Sequence, residues 1–417
     1  MVTPDRPLRI ALLSYRSKPH CGGQGVYVRH LSRELDALGH KVEVFSGQPY
    51  PDLDPGPQLT EVPSLDLYRE GDPFRTPRWG EYRHWADVLE VAMMWGGAFP
   101  EPLTFSIRAL RALAARAGQF DVAHDNQGLG YGMLGLRRLG LPLVTSIHHP
   151  ISVDRRIELA DLGALKRLWK GRWYGFVRMQ SRVARRVAAQ GPLITVSATA
   201  KRDICRDFGV PADRVRVIPL GVDTRVFRPR PAVRVPGRIV AVASADSALK
   251  GVATLLHAVG KLVTDRDMHL VVVGRPGPAT ERLTAQLSLA DRVRFAHGLD
   301  DEAFSALLAS AETAVVPSLY EGFSLPAVEH MASGTPLVAS RSGALPEVTG
   351  DAAVLVTPAD SEELAAVLRR LHDSPAERAA LAGRGLRRVG ERFAWPAVAK
   401  ATAGQYREAM GQVTAPC

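Results

Sequence analysis

Short runs of β-branched and aliphatic residues alternate with helix-length amphipathic segments along almost the whole chain. This alternation is typical of βαβ units, in which buried parallel strands are joined by helices. Parallel sheets of this kind bind ligands beyond the carboxyl ends of their strands, so the loops after the strands are the candidate functional segments. Eleven runs fit strands: residues 9–15, 41–46, 120–124, 141–147, 193–197, 238–244, 269–274, 292–295, 313–318, 336–340 and 352–356.

The strand series stops once and starts again, which predicts two domains. The stretch 217–238 between the two series contains four prolines and five arginines and has no periodic apolar face, as expected of an extended connection. We predict an N-terminal domain at 1–217, a linker at 218–237, a second domain at 238–394 and a final helix at 395–417 that returns to the first domain. A long loop inside one sheet is the alternative. The expected fold class is α/β, with two Rossmann-like parallel sheets facing across a central cleft that suits two substrates.

Composition excludes several classes of protein. The chain has 417 residues, of which 46% are apolar and 23% charged, as in ordinary globular proteins. No apolar run approaches the roughly 20 residues of a membrane span, and the chain opens on a strand rather than on a secretion signal. Three cysteines, Cys21, Cys205 and Cys417, form no disulfide or metal pattern, so a cytoplasmic location is expected.

Positive charge is concentrated in the first half. The net charge is +10, and residues 1–218 hold 31 Lys and Arg against 22 Asp and Glu, whereas the remainder holds 22 against 21. This imbalance favours an anionic partner, such as a phosphorylated, lipid-linked or membrane-proximal acceptor. A soluble glycoside or secondary metabolite, which would suit the fold equally well, is the alternative. Nucleic acid is not expected, because no zinc-finger spacing or RNP-like aromatic run is present.

The segment 165–187 carries much of this excess. It has eight Lys and Arg, no acid, and interspersed aromatic residues. As one basic amphipathic helix it could lie on an anionic membrane surface, or Arg172 could contact a phosphate. The alternative is an ordinary solvated helix face.

Two loops of the first domain carry candidate ligand contacts. Gly22 and Gly23 follow the first strand and precede a helix, where free backbone N–H groups favour an anion. Position 28 is Val, so the third small residue of a dinucleotide fingerprint is missing and NAD binding is not expected. A plain flexible turn is the alternative. The loop 124–132, which contains Asn126, could hold a hydroxylated substrate.

Two adjacent imidazoles end the fourth predicted strand. His148 and His149 point to opposite faces if the strand continues through them, so they are not expected to share a metal ion. We predict that one faces the ligand and that the other packs in the fold. A purely structural role for both is the alternative.

The strongest signal is the segment 318–340. A strand ends just before it, and a helix is predicted to begin near Ser324, a favourable N-cap residue, with Pro326 in its first turn. Free N–H groups at such a helix tip favour a diphosphate, and the residues concerned are Gly322, Phe323, Ser324 and Leu325.

Charged side chains lie around that helix tip. Glu321 and Glu329 are spaced so that each carboxylate can accept hydrogen bonds from hydroxyls at one end of a nucleotide sugar. The alternative is that both are surface charges. Lys250 follows the first strand of the second domain, where a cation can neutralise a departing phosphate.

These segments together resemble the family 4 glycosyltransferases, which are retaining enzymes of the GT-B fold. EGFSLPAVE resembles the Glu-x7-Glu motif of that family, and IPLGVDTRVFRP resembles its interdomain linker. KGVATLLHAV, SGTPLVAS and GALPEV resemble other landmarks of its second domain, and GGQGVYVRHLSRELDALGHKVEVF fits the start of its first. The resemblance spans nearly the whole chain and is specific for the family rather than for a substrate.

The resemblance assigns roles to individual residues. It implies that Glu329 binds the donor ribose, that Glu321 and the backbone after it contact the transferred sugar and phosphates, and that Lys250 binds the diphosphate. It further implies that His148 faces the transferred sugar and that Gly22 and Gly23 line the acceptor side. Ala245 stands where family members usually have Arg, so we expect Arg275 or Arg341 to supply the missing cation.

The expected function is retaining transfer of a sugar from a nucleotide-diphosphate sugar to a hydroxyl acceptor, on one face of the sugar. No cofactor is expected, and no divalent metal, because no Asp-x-Asp motif follows a suitable strand. A sugar-nucleotide epimerase or a phosphorylase with the same two-domain plan is one alternative, although no lysine stands out for pyridoxal phosphate. A catalytically silent nucleotide-sugar-binding partner protein is another.

Overall fold

The chain folds as two compact units. The structure, a computed structural model, describes residues 6–17, 23–69, 71–160, 162–243 and 248–414. The first unit comprises Met1–Val196, Ala200–Ile218 and Trp395–Cys417, and the second comprises Ser197–Thr199 and Pro219–Ala394. The stretch expected to be a separate linker is therefore counted with the second unit, and its last residues already form a strand.

Among its described residues, the first unit has seven strands and eight α-helices before the C-terminal helix. The strands are β1 (Arg9–Ser14), β2 (Lys41–Ser46), β3 (Gln58–Glu61), β4 (Val122–Asn126), β5 (Leu143–Ser146), β6 (Leu193–Thr195) and β7 (Val215–Val217). The helices are α1 (Gly23–Ala37), α2 (Trp85–Trp95), α3 (Glu101–Ala114), α4 (Met133–Leu136), α5 (Ser152–Ala160), α6 (Ala164–Trp173), α7 (Phe176–Ala188) and α8 (Ala198–Phe208). All strand pairs are parallel, in the order β3-β2-β1-β4-β5-β6-β7.

Two strands of this sheet were missed by the sequence pattern, and they are its two edges. β3 has the polar sequence QLTE and is largely exposed, and in β7 only Val215 is buried. A central strand is covered on both faces and must be apolar, whereas an edge strand is free to carry polar residues. The pattern of continuous apolar runs therefore misses the two edges of this sheet.

In the part of the second unit that the structure describes there are six strands and seven α-helices. The strands are β8 (Val235–Val242), β9 (His269–Val273), β10 (Val293–Ala296), β11 (Ala311–Val316), β12 (Leu337–Ser340) and β13 (Ala353–Val356). The helices are α9 (Val252–Leu262), α10 (Pro278–Gln286), α11 (Asp301–Ala309), α12 (Leu325–Ala332), α13 (Leu345–Thr349), α14 (Ser361–Asp373) and α15 (Pro375–Arg392). The sheet is again parallel, in the order β10-β9-β8-β11-β12-β13.

The last helix, α16 (Trp395–Thr414), belongs to the first unit. Trp395 stacks on the ring of His30 with 5.2 Å between centroids. Tyr406 is fully buried, and its hydroxyl lies 2.7 Å from Nδ1 of His124, whose Nε2 lies 2.7 Å from the hydroxyl of Ser146. Burial lowers the pKa of His124 to about 3, so the ring is neutral and this chain of hydrogen bonds attaches α16 to the sheet.

The basic segment 165–187 is two helices, and the expectation of one amphipathic helix was wrong. α6 and α7 are separated at Tyr174 and Gly175. The apolar face of α7 packs into the core of the first unit, and Trp173 at the end of α6 packs on Phe99 with 5.0 Å between ring centroids. Only α6 is exposed along its length. No helix among the described residues is both long and apolar enough to cross a membrane.

Candidate active site

In both units the order of the strands reverses beside the first strand, at β1/β4 and at β8/β11. Loops leave such neighbouring strands in opposite directions, and ligands of parallel α/β sheets bind at that point beyond the carboxyl ends.

In the first unit, Asn126 and His148 come together at this edge. Asn126 ends β4 and is fully buried, and its Oδ1 lies 2.8 Å from Nε2 of His148, which follows β5. The amide nitrogen of Asn126 donates to the hydroxyl of Ser14 at the end of β1, at 3.5 Å. These hydrogen bonds connect the carboxyl ends of β1, β4 and β5.

His148 is held in a neutral state. Its backbone N–H donates to Oε1 of Gln127 at 2.8 Å, and its ring lies edge-on to Tyr27 with 4.7 Å between centroids. Burial lowers the pKa of His148 to about 3. Because Asn126 Oδ1 accepts from Nε2, the other nitrogen, Nδ1, is an acceptor, and it has no hydrogen-bond partner among the described residues. His149 instead lies 3.0 Å from the carboxylate of Asp154, so the two imidazoles have separate roles.

In the second unit, Lys250 and Glu321 form an ion pair at the corresponding edge. Lys250 ends a short 3₁₀ turn after β8, and Glu321 lies in the loop after β11. Nζ of Lys250 and the hydroxyl of Ser318 both donate to Oε1 of Glu321, each at 2.7 Å. The pair is partly exposed to solvent, so the ammonium group is accessible to an anionic ligand.

Glycine allows a neighbouring loop to approach Glu321 closely. Gly343 has φ +53°, and a Cβ at this position would lie 2.3 Å from the carbonyl oxygen of Glu321. Gly251, next to Lys250, has φ +64°, and a Cβ there would lie 2.0 Å from the carbonyl oxygen of Pro317. Both positions therefore require glycine for conformation and for space.

The tip of α12 lies four residues beyond Glu321. The helix begins at Leu325 with Ser324 as the N-cap residue, but Ser324 has φ +86° and its side chain makes no capping bond, contrary to expectation. Its hydroxyl is buried without a partner among the described residues. The side chain of Phe323 packs edge-to-face on Phe393, at 5.7 Å between centroids, so Phe323 and half-buried Gly322 offer backbone groups only.

Glu329 lies in the second turn of α12. Its side chain is half-buried, and no described residue donates a hydrogen bond to its carboxylate. Burial, with a smaller effect of Asp301, raises the pKa of Glu329 to about 8. An enclosed carboxyl group without protein partners is suited to accept hydroxyl groups of a ligand.

The remaining predicted residues are more dispersed. Arg275 is exposed just after β9, and Arg341 follows β12, where its guanidinium donates to the carbonyl of Leu355 at 3.4 Å. Nε of Arg172 donates to the carbonyl of Gly96 at 2.8 Å. Gly23 begins α1 with open space around its Cα. Gly22 and Ala245 lie outside the described residues.

Sequence patterns did not single out Tyr27, Gln127 or Glu101. Gln127 adopts φ +57°, a conformation that favours Gly or Asn. The sequence around Gln127 contains no motif that indicates its hydrogen bond to His148. Tyr27 reads as an ordinary core residue of α1. Glu101 is buried at the start of α3.

Comparison with known proteins settles the family. The model described as Glycosyltransferase Family 4 matches residues 21–226, and the model described as Glycosyl transferases group 1 matches residues 236–374. A relative from Mycolicibacterium hassiacum, named MMP alpha-(1->4)-mannosyltransferase, is 57% identical over 98% of this chain and 100% of its own length. The chain belongs to glycosyltransferase family 4. It is a glycosyltransferase.

More distant relatives and solved structures agree with this family. A D-inositol 3-phosphate glycosyltransferase from Acidothermus cellulolyticus is 29% identical over 98% of this chain and 92% of its own. A sucrose-phosphate synthase from Thermosynechococcus elongatus superposes with a TM-score of 0.74 at 24% identity, covering 97% of this chain and 99% of that one. The glycosyltransferase WaaG gives 0.67 at 17% identity, covering 98% and 100%. The GT-B fold expected for this family 4 glycosyltransferase is confirmed.

Gly343→Ala tests whether the loop around Glu321 depends on close backbone approach. Gly298→Ala is the matched control, because Gly298 also has positive φ (+68°) but open space around its Cα. We expect both variants to lose roughly 1 kcal/mol from the positive φ, and Gly343→Ala to lose a further ~1–3 kcal/mol from crowding. Urea denaturation measures the difference, and equal losses in the two variants would contradict the expectation.

Proposed function

We propose that this glycosyltransferase moves a mannosyl group from a nucleotide-diphosphate mannose to a hydroxyl acceptor, with retention at the anomeric carbon and without a divalent metal ion. The ion pair between Lys250 and Glu321, in the loop that leads into α12, is the observation that carries the proposal. The mannosyl group is inferred from the name of the relative that is 57% identical.

The second unit supplies the donor contacts. A diphosphate brings more negative charge to Lys250 than the single carboxylate of Glu321, so donor binding draws the ammonium toward the phosphate. The N–H groups at the tip of α12 add partial positive charge, and Arg275 is the proposed second cation in place of the Arg missing at Ala245. Glu321, released from Lys250, accepts hydrogen bonds from hydroxyls of the transferred sugar. Glu329 accepts those of the ribose.

The proposal of retention is supported by the linkage in the name of that relative. Its product is an alpha linkage, and a nucleotide-diphosphate mannose that is itself α-linked gives an α product only if configuration is retained. In the proposed step the bond from C1 to the diphosphate oxygen breaks while the acceptor oxygen bonds C1 on the same face. The hydroxyl proton passes to the departing phosphate oxygen. His148 is neutral, so its Nδ1 orients a hydroxyl by accepting its hydrogen.

Lys250→Ala tests the donor contacts and the independence from metal together. With GDP-mannose and excess EDTA we expect the wild-type protein to turn over, and Lys250→Ala to lose at least about a hundredfold in kcat/KM, because a charge is removed from the leaving group. Lys261→Ala is the control, since Lys261 pairs with Glu362 on the surface of the second unit. Arg275→Ala is expected to weaken donor binding with less effect on kcat. Strict dependence on Mg²⁺, or full activity of Lys250→Ala, would contradict the proposal.

Glu329 predicts a pH dependence of donor binding. Below its pKa of about 8 the carboxyl group is protonated and accepts fewer hydroxyl hydrogens. Binding of GDP, followed by calorimetry, should therefore tighten about tenfold between pH 7 and pH 9. Glu329→Gln should abolish this rise, whereas Glu281→Gln on α10 should keep it. The same pH profile in the wild type and in Glu329→Gln would refute the ribose contact.

We further propose that an anionic lipid surface is a partner of the first unit. α6 exposes Leu165, Leu168 and Trp169 together with Lys166 and Arg167. Side chains of this composition on one exposed helix match helices that lie in the headgroup region of anionic membranes.

The exposed face of α2 extends this apolar area. Trp85, Val88 and Trp95 are exposed on one side of α2. The Trp169 ring lies against Gly97, where a Cβ would be 3.0 Å away, so the end of α2 and α6 form one surface, the α2–α6 surface.

Vesicle flotation tests this surface. We expect the protein to float with vesicles of phosphatidylglycerol and not with phosphatidylcholine alone, and to be released by salt. Leu168→Ser combined with Trp169→Ser should lose flotation, whereas Leu386→Ser, an exposed leucine of the second unit, should keep it. Absence of wild-type flotation, or flotation unaffected by the double change, would refute the partner.

A further inference from the structure

A small cavity lies in the first unit beyond the carboxyl ends of β1, β2 and β3. Among its lining residues, Tyr15 follows β1, Gln48 follows β2 and Ser64 follows β3, while Glu101 and Arg108 come from α3. The enclosed part has room for about one water-sized group, and the cavity opens to solvent. The proposed function has so far given it no role.

The cavity region contains buried polar atoms of both signs that no described residue satisfies. Glu101 is only 6% exposed, and its Oε2 has no hydrogen-bond partner. Nε of Arg16 is 3.6 Å from that oxygen, too far for a hydrogen bond, and is also unpartnered. Nη1 of Arg108 is buried without a partner, although Nη2 pairs with Asp87 and Glu90. Buried polar atoms are nearly always satisfied, so this cluster is suited to a group that donates and accepts.

The cavity belongs to the edge of the sheet that carries Asn126. The loop after β4 packs on the start of α3: a Cβ at Gly130 would lie 2.3 Å from the carbonyl oxygen of Pro102, and the N–H of Gly132 donates to Ser106 at 3.1 Å. Burial, with the charges of Glu101 and, to a lesser extent, Asp125, raises the pKa of Tyr15 to about 12. Glu101 is therefore a neighbour of the segment that holds His148 in place.

The size of the cavity disfavours a phosphate. Its enclosed part has room for about one water-sized group, and a phosphate is larger than that. Burial raises the pKa of Glu101 to about 8 and also raises the pKa of Glu90, so the cavity favours uncharged groups, and a phosphate would have to give up its hydration to enter it. A hydroxyl group carries no such cost and can donate to Glu101 while accepting from a guanidinium N–H.

We infer that this cavity binds a hydroxyl or hydroxymethyl group of an uncharged sugar acceptor, with Glu101 as the residue that selects it. The inference rests on the proposed function and deepens it, because it names the chemical class of the acceptor. It also separates this chain from the relatives at about 29% identity, which are named for D-inositol 3-phosphate.

Acceptor kinetics test the role of Glu101. GDP-mannose is the donor, and methyl α-D-mannopyranoside and D-myo-inositol 3-phosphate are the acceptor probes, with binding of each followed by NMR titration. We expect the wild type to bind and use the neutral glycoside in preference to the phosphate. Glu101→Leu should raise the KM of the glycoside at least about tenfold, since it removes both hydrogen-bonding atoms at similar volume. Glu101→Gln, which still donates and accepts, should stay within threefold.

The controls separate acceptor binding from folding and from donor chemistry. Asp121→Asn changes another buried, ion-paired carboxylate, which lies at the opposite end of the sheet and bonds to Arg9, and should leave acceptor KM unchanged. Hydrolysis of GDP-mannose without acceptor should be within twofold of the wild type in every variant. If the wild type does not hydrolyse GDP-mannose, the proposed function fails. If it does, an unchanged KM in Glu101→Leu, failure to bind the neutral glycoside, or preference for the phosphate overturns this inference alone.

Discussion

The carboxyl edge of a parallel sheet offers open space only where the strand order reverses, because elsewhere each crossover covers the end of its neighbour. Both units of this glycosyltransferase have such a reversal beside their first strand, and the candidate residues collect there. Asn126 ends β4 and bonds to Ser14 of β1, while Glu321 follows β11 and bonds to Lys250 after β8. The site chemistry of each unit is thus a consequence of strand order, and the side chains then determine which ligand it fits.

Burial gives the candidate residues at the carboxyl edges of the two sheets different charge states. In the second unit Lys250 stays accessible and paired with a carboxylate, so a cation is ready for a more highly charged ligand. In the first unit the pKa of His148 is lowered to about 3 and the pKa of Glu101 is raised to about 8, both by burial. Neutral groups of this kind discriminate by hydrogen-bond geometry rather than by charge. One unit is therefore suited to a diphosphate and the other to hydroxyl groups.

Much of this fold could be predicted from sequence because its signals are local. A central parallel strand needs an apolar run, so eleven of the thirteen described strands, among them all nine inner ones, and their order along the chain followed from the pattern. The edge strands β3 and β7 did not, since exposure removes the need for apolar residues. The motif around Glu321, Gly322 and Glu329 was visible because its spacing follows from a loop and one helix. Glu101 was not, because tertiary packing brings it near Arg16 and places it in the same cavity as Gln48.

The fold also changes the interpretation of the positive charge in the first half of the sequence. The sequence suggested an anionic acceptor, yet the residues around the ligand-facing edge include the acids Asp125, Glu90 and Glu101. Much of the excess of Lys and Arg lies instead on α6 and on the exposed face of α7. In salt solution, charges are screened beyond about 8–10 Å. The basic surface of these helices therefore attracts anionic molecules that come into contact with it, and it has little effect on ligand binding in a buried pocket. Net charge thus describes the outer surface of this unit, whereas acceptor choice depends on a few enclosed polar atoms.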